Sequence, residues 1–132
     1  MKMTNREIIG ILNALSAMAE REKAAIKAEP AFKRMPIKAV YKIQTNKKVF
    51  RERITPYEES LKELIDRYGV KMEATGLNVE NLEPDKLTEF NRELTELLEL
   101  EVDVEINKTH IEAFGDYEIS QEDMEVLEFM LM

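Results

Sequence analysis

The stretch PIKAVYKIQTNKKVFRERITPYEESLKELIDRYG, from Pro36 to Gly69, decides the fold. At the ~100° per residue of a helix, Val40, Ile43, Phe50, Ile54, Tyr57, Leu61, Leu64, Ile65 and Tyr68 stay on one face about 120° wide. Pro36 stands in the first-turn place that suits proline, and Gly69 supplies a C-terminal cap. Pro56 interrupts the run, and a proline inside a helix costs about 3 kcal/mol. It lies opposite the apolar stripe, however, and the phase is kept on both sides of it. One long helix over 36–68, bent at Thr55-Pro56, is therefore expected.

The flanking segments are read against that helix. Upstream, Thr4 or Asn5 is an N-cap, and Ile8, Ile11, Leu12, Leu15, Met18, Ala19 and Ile26 share a face. This predicts an amphipathic helix over 5–28, stopped before Pro30, with a proline-bearing connector at 28–36. The two helices are expected to run antiparallel. Downstream, residues 70–81 show no periodicity and read as a loop. Pro84 opens a helix over 84–98 carrying Leu87, Phe90, Leu94, Leu97 and Leu98. The period then changes from helical to two: Leu100, Val102, Val104 and Ile106 alternate with Glu99, Glu101, Asp103 and Glu105, which marks a strand over 100–106. Its partner is left open between residues 109–114 or 116–119 of the same chain and a second chain. Residues 109–114 themselves read as either a return strand or one helical turn, and Tyr117-Glu118-Ile119 as a short strand. Ser120 caps a last helix, 121–131, apolar over more than half its circumference. Such a helix is either sandwiched inside the molecule or completes an intersubunit contact. The predicted fold class is α+β, mostly helical: a single domain over 1–132 of antiparallel helices, one of them long and bent, with a small β element and a C-terminal helix.

Composition narrows the chemistry. The chain has 132 residues, 44% hydrophobic, with no Cys and one His, which excludes thiolate metal sites, a Cys nucleophile and a His–His pair. The first seven residues carry charges where a signal peptide needs an apolar core, and no stretch reaches the length of a membrane span. A cytoplasmic location, or the virion for a phage-encoded chain, follows as the expectation. The net charge of −8 hides a segregation. Residues 33–54 hold eight basic side chains and one acidic, net +7, whereas residues 55–132 hold six basic and 22 acidic, net −16. Lys38, Lys42, Lys48 and Arg53 fall on one arc of the long helix, which suits a phosphate backbone or an acidic protein surface. The carboxylate row Glu99, Glu101, Asp103 and Glu105 wants solvent or cations, but no EF-hand or paired-His spacing accompanies it. His110 is the only imidazole base, without a nucleophile motif nearby, and the four glycines are too scattered for a phosphate loop. No catalytic residue, metal ligand or cofactor is assigned.

The segments MPIKAVYKIQTNKKVFRERITPYEESLKELIDRYG (35–69), FNRELTELLELEVDVEI (90–106) and ISQEDMEVLEFML (119–131), behind an N-terminal amphipathic helix, resemble small uncharacterised proteins of tailed bacteriophages and prophages of Gram-positive bacteria. The resemblance is one of layout, and Pro56 departs from it. It implies an assembly, scaffold or minor virion role among structural genes. The expected function is a non-enzymatic interaction protein that self-associates or binds a protein partner, with contacts at the long helix (Lys38, Lys42, Lys48, Arg53) and at the strand–helix unit (Val102, Val104, Phe129, Met130). The alternative is a nucleic-acid-associated accessory protein using the basic half of the long helix.

Overall fold

A computed structural model describes residues 1–132. The order is β1 (Lys2–Thr4), α1 (Asn5–Ala28), α2 (Ile37–Tyr68), β2 (Lys71–Glu73), β3 (Gly76–Asn78), α3 (Pro84–Glu99), β4 (Glu101–Asp103) and α4 (Gln121–Leu127). With 65% of its residues helical and two small antiparallel two-stranded sheets, the chain is α+β and mostly helical, as its periodicity predicts. No helix is long and apolar enough to cross a membrane.

The spine is α2, unbroken for 32 residues through Pro56 and so about 48 Å long. Pro56 is exposed, while Ile54 and Tyr57 beside it are buried, so the ring sits on the water side of a helix held by its other face. At the far end Gly69 takes a left-handed φ of 66°. Its N–H donates to the Asp66 carbonyl at 3.3 Å, and the Val70 N–H reaches back to Ile65 at 3.0 Å, closing the carbonyls that a helix end leaves free.

Three apolar clusters line this spine. Leu15 and Met18 of α1 meet Ala39 and Ile43 of α2 in one, whereas Ile8 meets Phe50, Ile54 and Tyr57 in the next. Rising numbers in α1 against falling numbers in α2 make the pair antiparallel. The third cluster, Leu64, Val70 and Phe90, joins the distal end of α2 to α3. The start of α1 abuts the end of α3. The Asn5 side chain donates to the Leu97 carbonyl at 2.8 Å, and the Asn5 N–H donates to the Leu100 carbonyl at 3.1 Å. The positive end of one helix dipole thus meets the negative end of the other. Thr4 and Glu7 complete the α1 start as a reciprocal capping box.

Four expectations need correction. The strand is three residues long, and β4 pairs antiparallel with β1, with Met3 opposite Val102. Neither 109–114, 116–119 nor a second chain supplies that partner. Residues 111–114 form a tight helical turn, one of the two readings open for them, whereas the short strand expected at 117–119 does not form. Residues 70–81 are not simply a loop: they fold as a hairpin whose two-residue turn places Glu73 opposite Gly76. The last helix is α-helical only to Leu127 and tightens into a 3₁₀ turn over Glu128–Met130.

The C-terminal segment folds back over the α1–α2 pair and closes the first cluster with Phe114, Tyr117, Leu127 and Met130. A parallel bridge ties it to itself, with the Thr109 N–H donating to Met130 at 2.8 Å and the Met132 N–H to Thr109 at 2.9 Å. The apolar C-terminal helix is therefore of the sandwiched kind.

Candidate functional site

The strand–helix residues singled out by sequence lie inward. Val104 and Met130 keep 1% and 0% of their surface exposed. Val102 is half-buried opposite Met3, and the half-buried Phe129 ring stands edge-on to Phe50 with centroids 5.5 Å apart. Their contacts are spent within the chain, so an outward surface formed by these four side chains is not what this fold presents. The period-two alternation correctly marks one side of the strand as apolar; that side is covered by α1, α2 and the C-terminal segment.

The basic half of α2 is different. Of the eight cations from Lys33 to Arg53, two of them just ahead of α2, only Lys33 meets a carboxylate, Asp116 at 3.6 Å. Of the eleven cations elsewhere, Arg6, Arg21, Lys23, Arg67, Lys86 and Arg92 carry ion pairs, while the scattered Lys2, Lys27, Lys62, Lys71 and Lys108 do not. Arg34, Lys38, Lys42, Lys47, Lys48, Arg51 and Arg53 have none, although the chain has an excess of acid. Exposed pairs contribute only a few tenths of a kcal/mol each. The absence matters less for stability than for the field it leaves uncancelled over one stretch of helix.

These cations divide between two depressions. Lys38 and Lys42, one turn apart, border a groove of about 440 Å³ whose other walls are Ile37, Tyr41, Thr109 and Ala113. Ile37 and Tyr41 are large apolar side chains left 79% and 69% exposed. Arg53 lines a separate depression with Tyr57, Leu97, Leu100, Glu101 and Val102, on the same side of α2 as the chain that follows α3. Lys48 is exposed and borders neither of these two depressions. The four cations therefore share a helix but not one depression. Across the other flank, Lys47 lies close enough to Arg51 and to Lys23 of α1 to feel both charges. Partial burial, reinforced by those two neighbours, holds its ammonium below the usual lysine range.

Ile37 and Tyr41 were not singled out by sequence because they lie off the apolar stripe. That is also the signal that identifies them: two large apolar groups among lysines, on the wrong face for the core. Asn46 likewise escapes a pattern search, although it is fully buried. Its side chain donates to the Asn107 carbonyl at 3.0 Å and accepts from the Asn107 N–H at 2.8 Å, which fixes the C-terminal segment against α2 just below the groove.

His110 is exposed, and no three His, Asp or Glu side chains are grouped so as to hold a metal ion. The row Glu101, Asp103 and Glu105 is exposed and without ion pairs, while Glu99 pairs with Arg6 at 2.6 Å. A scan of protein-family models, the curated proteins and the solved structures finds no match to the chain.

Proposed function

We propose that the chain is a non-enzymatic interaction protein, an assembly or structural accessory component of the tailed-phage kind, acting in the host cytoplasm or the virion. One observation carries this reading: seven cations on or beside the first half of α2 lack an acid partner in a molecule of net charge −8. Left unpaired, they attract and orient an acidic surface, and the exposed Ile37 and Tyr41 among them add apolar area that desolvates on contact. The test is light scattering of the purified chain together with capture of partners from a phage-bearing host. Self-association or a captured protein lost on reversing Lys38 and Lys42 to Glu supports the reading. A strict monomer that captures nothing sinks it.

A second reading has its own support. Lys47, Arg51 and Lys23 bring three positive charges together from two helices, with Lys47 half-buried and without a carboxylate. Such a cluster suits the phosphates of a nucleic acid, where each contact releases a counterion and binding weakens steeply with salt. Titration of DNA and RNA at two salt concentrations decides it: no binding at the lower salt removes this reading.

A further inference from the structure

Two features left unsatisfied within the chain are both bordered by residues 100–113, the stretch that follows α3 alongside α2, and complement each other. The first is the groove with Lys38 and Lys42 at its rim and the exposed Ile37 and Tyr41 in its wall. The second is the outward row Glu101, Asp103 and Glu105, none of them ion-paired, headed by Leu100 at 57% exposure. Arg53 borders the depression that holds Leu100 and Glu101, and Lys42 borders the groove. From residue 53 to residue 42 is 11 residues of α2, so the two features lie about 16 Å apart along its axis. Between them the chain is fixed to α2 by the Asn46–Asn107 pair. A rigid stretch thus separates an acidic half with an apolar knob from a basic half with an apolar groove.

Resting on the interaction reading above, we infer that residues 100–113 and the part of α2 beside them form an isologous interface with a second copy of the chain. A two-fold axis between the halves sets each carboxylate row over the lysines of the other copy. Leu100 then faces the groove wall formed by Ile37 and Tyr41. Self-complementarity of this kind is what a two-fold contact requires, since the same patch serves both partners. The occupant is a second copy because the acid, the base, the knob and the groove are all present on this one chain. The same charges that attract in the antiparallel arrangement repel in the parallel one, so they also select the orientation.

Charge exchange tests it, read by sedimentation velocity of the full chain. Lys38→Glu with Lys42→Glu, and separately Glu101→Lys with Asp103→Lys, are expected to leave monomers where the wild type dimerises. Mixing the two variants in equal amounts restores a dimer, and one chain carrying all four reversals dimerises again. Lys71→Glu, the same charge change in the β2–β3 hairpin beyond the far end of α2, leaves dimerisation intact. All five positions lack ion pairs in the fold, and circular dichroism of each variant verifies that it is folded. A wild type that stays monomeric overturns the inference, as does a mixture that stays monomeric or an equal loss from Lys71→Glu. A monomer that still captures a protein through its α2 cations ends this inference and leaves the interaction reading standing.

Discussion

Replacing Asn46 with Leu removes the polar connection between α2 and the C-terminal segment while keeping the branched shape of the side chain. Asn46 is fully buried and exchanges two hydrogen bonds with the Asn107 backbone, at 3.0 and 2.8 Å. Leucine offers neither donor nor acceptor, so the Asn107 N–H and C=O both lose their partner. A buried backbone group left unsatisfied costs about 1–3 kcal/mol, and Asn107 is only half-buried, so water recovers part of it. The expected loss is about 2–4 kcal/mol, on the order of 10 °C in Tm for a chain of this size. Asn46→Asp sharpens the test. Its carboxylate still accepts from the Asn107 N–H but faces the Asn107 carbonyl with a second acceptor, in full burial. The folded state therefore raises that carboxyl's pKa above its unfolded value. The variant is weakest at neutral pH and gains stability relative to wild type as pH falls through the raised value, where the protonated oxygen donates to the carbonyl. Urea unfolding followed by circular dichroism, at neutral and acidic pH, reads both effects. Asn46→Leu within about 0.5 kcal/mol of wild type would refute the clamp.

Pro56→Ala restores an N–H that can donate to the Glu52 carbonyl and removes the ring from an exposed helix position. Against the ~3 kcal/mol helix penalty of proline stands ~0.4–1 kcal/mol lost by loosening the unfolded chain, so stability against thermal unfolding is expected to rise by roughly 2–2.6 kcal/mol. A lower Tm would mean that Pro56 shapes α2 in a way its packing needs. Tyr68 donates to the Glu93 carboxylate at 2.6 Å, and this bond, reinforced by burial and acidic neighbours, pushes the phenol from 10 up to about 12. A raised folded pKa favours the neutral phenol, so its contribution is whole below pH ~10 and is lost as pH rises towards about 12. In Tyr68→Phe that alkaline loss of stability shrinks, which unfolding curves across this range measure.

The long elements were legible because their energetics are local and repetitive. A stripe from Val40 to Tyr68 holding one phase cannot be satisfied except by a helix with one covered face, and Pro56 is tolerated because it points away from that cover. The short elements were not. Lys71–Glu73 and Gly76–Asn78 offer three residues each, too few for alternation to register, and the hairpin is held by its turn and by α3 nearby. The N-terminal Lys2–Thr4 reads as a charged lead-in to a helix; its pairing with Glu101–Asp103 is a contact across about a hundred residues that no local pattern encodes. The same limit applies to the site. Charge segregation showed that α2 is basic, but whether a lysine has a carboxylate within reach depends on which remote segment folds beside it. The fold brought Asp116 to Lys33 and left Lys38 and Lys42 without one. The strand–helix residues were misplaced for the opposite reason: apolar character marks a buried face equally well whether the cover is another chain or the same one.

The central claim is that α2 turns one face to the core and offers unpaired cations outward for contact. Sedimentation equilibrium of the wild type across a salt series tests it most directly. Association is expected at low salt, of the chain with itself or with the partner it captures, and is expected to weaken steadily as salt screens the lysines. Association that is indifferent to salt, or that survives reversal of Lys38 and Lys42 to Glu, would contradict it.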